Sequence, residues 1–201
     1  MKKIIHILFF FVFISQASFS QVEYKIDDES TMTITGTSTI HDWTSKVNEI
    51  NGIFIFKNEI TQKKLPKTGS IVEQVKLIIP VLSIESPRGS TMDKKTYNAL
   101  KSETYPELSF EVTSDNVESI IDKAEAKFLL RAYGVLSMAG ESKEINVSLE
   151  CQRMTDGKLK ISGSYPIDML EYKIEPPSAM FGQIKTGKDL IIDFELFLSV
   201  K

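Results

Sequence analysis

The chain has 201 residues, of which 42% are hydrophobic, 25% charged and 9% aromatic. That is the make-up of one globular domain, and it excludes a disordered, collagen-like or wholly membrane-embedded chain. One Cys and two His exclude an internal disulfide, a multi-cysteine metal site and a three-histidine site, and a formal charge of −3 gives no electrostatic case for nucleic-acid binding.

The chain opens with Met1-Lys2-Lys3, continues with an apolar run from Ile4 to Ile14 broken only by His6, and then places Ser18 and Ser20 before Gln21. This basic, apolar, small-residue order predicts a secretory signal over residues 1–20, cut after Ser20. The apolar run is too short for a spanning helix, which needs about 20 residues, so no stable membrane insertion is expected. Residues 1–20 hold two Lys and no acid, so their removal shifts the formal charge from −3 to −5 and leaves His41 as the one histidine. The protein is expected to be periplasmic or secreted, with residues 21–201 forming one domain. A lone Cys in an oxidising compartment is expected to be buried, which assigns Cys151 to the core.

Alternation of apolar and polar residues then recurs along the chain. Met32, Ile34, Gly36, Ser38 and Ile40 alternate with threonines, and Val75, Leu77, Ile79 and Val81 share one face. Segments 22–27 and 47–57 are further strand candidates. One helix interrupts the series at about 91–102, capped by Ser90 or Thr91, with Met92, Thr96, Ala99 and Leu100 on one face. Leu108, Phe110 and Val112 resume the alternation. Phe128, Leu130, Ala132, Gly134, Leu136 and Met138 form a wholly apolar face. Ile145 to Cys151 follow, and Asp156-Gly157 signals a hairpin into Leu159, Ile161 and Gly163. Segment 165–188, with Pro166, Pro176 and Pro177, is the least regular, with a turn of helix expected around Asp168–Glu171. Leu190 to Leu198 close the series.

Eight or more one-faced strands must bury those faces together, as an all-β sandwich or an antiparallel barrel. An eight-stranded barrel is either just filled by side chains or holds one small ligand. The inward set includes Met32, Phe54, Phe56, Phe110, Phe128, Leu136, Met138 and Phe194, with Met92, Tyr97 and Leu100 from the helix. Met and Phe adapt to a flexible apolar chain, and the same faces also suit a closed core.

His41-Asp42-Trp43 is the most unusual local cluster. A His beside an Asp can act as a general base, but neighbours on a strand point to opposite faces and no nucleophile stands nearby. A structural corner and contact with a ligand head group are the other readings. Lys57, Lys63, Lys64 and Lys67 read as a solubilising loop, and Arg88, Lys185 and Lys188 as loop cations or contacts to an anionic head group. Neither a metal-ligand set nor a phosphate loop nor a dinucleotide fingerprint is present, so no metal or cofactor is expected.

Four stretches in order carry a resemblance. Gly36-Thr37-Ser38-Thr39-Ile40-His41-Asp42-Trp43 comes first. Met92-Asp93, Ala99-Leu100-Lys101-Ser102 and Tyr105-Pro106-Glu107-Leu108-Ser109-Phe110 follow. Gly134-Val135-Leu136-Ser137-Met138-Ala139-Gly140 precedes Lys143 and Ile145. Gly163, Asp168, Tyr172 and Asp189-Leu190-Ile191-Ile192-Asp193-Phe194 complete the set. Together they resemble the YceI-like family over residues 22–200. The resemblance implies a single lipocalin-like antiparallel barrel of about eight strands that binds an isoprenoid or other lipid chain, with links to stress responses and no agreed enzymatic activity. On that reading the apolar set lines the barrel, and His41, Asp42, Trp43, Tyr172 and Lys185 are candidates for its mouth. A homodimer is compatible with it. An enzyme using His41 and an interaction module with a filled core are the rivals.

Overall fold

The period-2 pattern folds as expected, into strands that bury one face each. The computed structural model describes residues 21–201; the predicted signal over residues 1–20 lies outside the described residues. In chain order the strands are β1 (Val22–Ile26), β2 (Thr31–Ser38), β3 (Trp43–Val47), β4 (Asn51–Phe56), β5 (Val72–Pro80) and β6 (Ile84–Glu85). Helix α1 (Ser90–Ala99) follows, and then β7 (Glu107–Asp122), β8 (Lys127–Met138), β9 (Glu141–Arg153), β10 (Leu159–Asp168), β11 (Ser178–Ala179) and β12 (Ile184–Val200).

All pairings are antiparallel, and the sheet closes on itself where Tyr24 to Ile26 of β1 meet Leu198 to Val200 of β12. The first six strands act as three bent staves. Strands β1 and β2 run one after the other along the same edge of β12, which pairs β1 through Leu198–Val200 and β2 through Thr186–Glu195. Strands β3 and β4 lie beside them in the same way, and β5 with β6 completes the set. The bends have visible causes: Ser30 N–H donates to Asp27 O (3.0 Å) in the first, and Asn48 N–H donates to Ser83 O (2.9 Å) in the second. Counting each pair once, the barrel has eight staves, the number that leaves room for at most one small ligand.

One end of the barrel is packed solid. Tyr24, Phe56, Phe128, Leu159, Leu198 and Cys151 are all essentially without exposure, and the Tyr24 and Phe56 rings meet edge to face with centroids 5.4 Å apart. Burial pushes the Cys151 thiol well up, with lesser contributions from Glu150 and Asp115, so it stays protonated. Asp115 pins the long loop 57–71 over this floor by accepting from Ser70 Oγ (2.5 Å) and Ile71 N–H (2.8 Å).

Two boundaries differ from the sequence reading. The helix ends at Ala99, because Lys101 turns left-handed (φ 55°) and Ser102 N–H reaches back to Tyr97 O (2.9 Å), a Schellman-type stop. Gly89 occupies its N-cap, and the start is held by Asp93 accepting from Ser86 N–H (2.7 Å), with no hydroxyl cap. The irregular segment is also shorter than expected. Strand β10 pairs with β12 through Asp168, opposite Asp189, and Asp168 then starts a 3₁₀ turn (Met169–Tyr172) by accepting from Leu170 N–H (2.9 Å).

Candidate functional site

Above the packed floor the barrel is hollow. The inward residues of β8 shrink to Ala132 and Gly134 midway, and Gly163 does the same on β10. A Cβ at Gly134 would come 2.8 Å from the Phe110 ring and 2.3 Å from Glu111 O. The Phe110 ring therefore lies across the wall over Gly134 and leaves the middle open.

Two apolar chambers result. The inner, of about 140 Å³, rests on the floor and is lined by Met32, Phe54, Phe56, Phe110, Leu136, Phe194 and their neighbours, with Ser109 and Tyr165 as its residues of polar side chain. The outer, of about 220 Å³, lies beneath α1 and reaches the barrel end. Ile34, Leu108, Met138 and Ile192 line both chambers and form a waist between them. Together the two exceed the lower bound of small-molecule pockets, about 300 Å³. Several inward apolar residues, including Ile34, Ile145, Ile192 and Phe194, are only partly buried, because they face this space.

The helix roofs the outer chamber. Met92, Lys95, Thr96, Ala99 and Leu100 line it, spaced as one helical face, and no residue of α1 is fully buried. Opposite, Gly36 pairs with Trp43 across β2 and β3, and a Cβ at Gly36 would come within 2.5 Å of the indole. The indole lies over that gap with Nε1 donating to Thr37 O (3.0 Å), which satisfies its one polar atom and leaves an apolar plate. Arg88 and Lys95 are the charged residues of the lining, with His41 beside them and no carboxylate. Lys95 Nζ donates to Ser178 O (3.2 Å) and so ties the helix to β11.

The other sequence-derived candidates lie outside both linings. Phe128 belongs to the floor. Tyr97 is half-buried against the core and donates its hydroxyl to Leu82 O (3.0 Å). Asp42 is exposed. Its backbone oxygen lies 2.9 Å from His41 Nδ1. Lys185 is exposed and its backbone pairs with Ser178. Tyr172 is buried in the core near the mouth. Burial, with Tyr165 and Glu171 adding to it, pushes its phenol up to about 12, and Tyr165 shifts the same way, chiefly through burial. Both phenols stay neutral at ordinary pH. Sequence reasoning missed Ile174, Pro177 and Ile184, which line the outer chamber from the irregular segment, where no periodicity marks them. Of the four waist residues it marked only Met138 as lining, although Ile34, Leu108 and Ile192 sit in strands it named. Among the described residues no group of His, Cys, Asp and Glu is placed to hold a metal, and no helix is long and apolar enough to cross a membrane.

The sequence profile of the YceI-like domain matches residues 24–198. The chain belongs to the YceI-like family. Solved structures share the fold of this YceI-like chain at low sequence identity. The polyisoprenoid binding domain from Saccharophagus degradans is 15% identical with a TM-score of 0.63, over 90% of this chain and 99% of that one. BcnA of Burkholderia cenocepacia is 13% identical with a TM-score of 0.60, over 87% and 99%. The YceI protein of Campylobacter jejuni is 17% identical with a TM-score of 0.55, over 78% and 84%. No curated protein matches the chain.

Proposed function

We propose that this YceI-like protein is an exported carrier or sink for one long apolar chain, a polyisoprenoid or a lipid tail, held in the two chambers. The observation that carries the reading is the pair of apolar chambers joined at Ile34, Leu108, Met138 and Ile192. An unbranched or methyl-branched chain is the ligand shape that suits two narrow spaces in series. Burying its methylenes contributes about 0.8 kcal/mol each, so a ten-carbon stretch gives on the order of 8 kcal/mol before entropic costs. A polar head would sit by His41, Arg88 and Lys95. The shared fold with the polyisoprenoid binding domain from Saccharophagus degradans supports this ligand class, and the basic-apolar-small order of residues 1–20 supports export. The function needs no catalysis. The His41 ring lies against the Asp42 backbone oxygen, while the Asp42 side chain points into solvent.

Native mass spectrometry of the protein purified from its own host without detergent, followed by organic extraction, tests the reading. A bound species that extracts as a long apolar chain is the expected result. Protein that carries none and also fails to take up an added polyprenyl alcohol would overturn it.

A further inference from the structure

Three apolar side chains stand in solvent around the mouth of the outer chamber. Phe181 is 108% exposed, Ile40 61% and Met92 37%. Single exposed apolar residues are ordinary on a surface, but these stand on adjoining pieces of backbone. Thr39 N–H donates to Lys185 O (3.0 Å), and Lys185 N–H donates to Thr39 Oγ1 (3.3 Å). The β2–β3 turn that carries Ile40 is thereby tied to the β11–β12 hairpin that carries Phe181. Ile40, Met92, Ser178 and Ile184 all line the chamber, so both tips lie on its rim. Phe181 also holds φ at 55°, the left-handed region that bulky residues avoid.

The charged side chains that line the chamber have one sign. The chamber lining contains Arg88, Lys95 and His41 and no carboxylate, and Lys185 stands on the hairpin beside Phe181. Among the described residues no ion pair uses Arg88, Lys95 or Lys185. The nearest carboxylates in sequence are Asp42, Glu85 and Asp93, none of which lines the chamber; Asp42 and Glu85 are exposed, and Asp93 is half-buried and accepts from Ser86 N–H. Residues 21–201 as a whole carry a formal charge of −5, so this rim opposes the balance of the molecule.

We propose that the rim is a docking surface for an anionic bilayer. Phe181 and Ile40 enter the headgroup layer, and Arg88 and Lys185 meet the lipid phosphates. Interfacial aromatic residues and basic side chains near an acidic lipid surface both favour such contact. Docked in this way, the mouth of the outer chamber faces the acyl layer, and an apolar chain passes between bilayer and chamber without crossing water. The proposal rests on the carrier reading, since a surface of this kind serves a chamber that exchanges its contents with a membrane.

Flotation with vesicles tests it, using phosphatidylcholine alone and an equimolar mixture with phosphatidylglycerol. The protein is expected to float with the mixed vesicles, less as salt rises, and poorly with the neutral ones. Phe181→Ser is expected to weaken that partitioning roughly tenfold or more, the effect of losing one buried aromatic side chain. Its melting temperature and its uptake of N-phenylnaphthylamine from vesicle-free buffer should stay unchanged, because Phe181 lines neither chamber. Equal flotation of wild type and variant, or no flotation at all, overturns the docking surface; if the probe is still taken up, the carrier reading stands. Failure of delipidated wild type to take up the probe removes both. A concentration-dependent dimer that Phe181→Ser abolishes assigns the rim to a second copy of the chain and overturns the membrane proposal.

Discussion

Ile34 sits at the waist, half-buried, pointing into space that both chambers share. A larger side chain there meets void first and neighbours second. In a close-packed core, adding bulk strains rotamers and costs about 1–3 kcal/mol. At a hollow the same change fills volume. Ile34→Phe is therefore expected to leave the melting temperature unchanged or slightly raised, while weakening the binding of a polyprenyl alcohol at least tenfold, because the chain can no longer thread from one chamber to the next. A thermal melt and a binding titration on the same sample read both effects. A fall in melting temperature of the size an overpacked core gives would show that the interior is full.

Helix α1 roofs the outer chamber without burying any residue completely. An element with so little packing opens at low free-energy cost, as lids do. Asn98→Pro removes a helical hydrogen bond and clashes with the preceding turn. The helix can lose no more than its own small local stability, so melting is expected to fall by no more than about 2–4 °C, the equivalent of ~1 kcal/mol in a domain of this size. Dissociation of a bound apolar probe should become several-fold faster, as stopped-flow dilution would record. A large loss of stability with an unchanged off-rate would make the helix part of the core and not a lid. The helix also shows where sequence reading works and where it stops. The spacing of Met92, Thr96, Ala99 and Leu100 predicts one face, and those four residues share one chamber. The C-terminal stop at Lys101 could not be read from the chain, because a lysine in left-handed backbone carries no glycine signal. Strands were legible for the same reason as the helix face, since alternation is a local property. The hollow was not legible. Phe110 in sequence is a core-sized residue, and only the register that sets its ring over Gly134 turns it into wall.

At the scale of the molecule, a barrel with one solid end and one hollow end divides stability from function. Tyr24, Phe56, Phe128, Leu159 and Leu198 hold the floor, while at the mouth end the core of Val81, Ile84, Tyr172 and Ile174 is capped by short strands, 3₁₀ turns and a lightly packed helix. The seam is also uneven. Strands β8 and β9 are paired over twelve residues, whereas β1 closes against β12 over three. An occupant spanning both chambers would touch β2, β5, β7, β8, β10 and β12 at once, and would supply the dispersion contacts the empty middle lacks. Binding to the folded state alone stabilises it by mass action, by about 2.7 kcal/mol when free ligand stands at a hundred times its dissociation constant. At roughly 2–4 °C per kcal/mol for a chain of this length, the melting temperature of delipidated protein should rise by about 5–11 °C on refilling. The rise should grow with the logarithm of ligand concentration, and in Ile34→Phe, with binding weakened tenfold or more, it should fall to about half or less at the same ligand concentration. A melting temperature indifferent to saturating ligand would place the chain on the surface of the barrel and leave the chambers without an occupant.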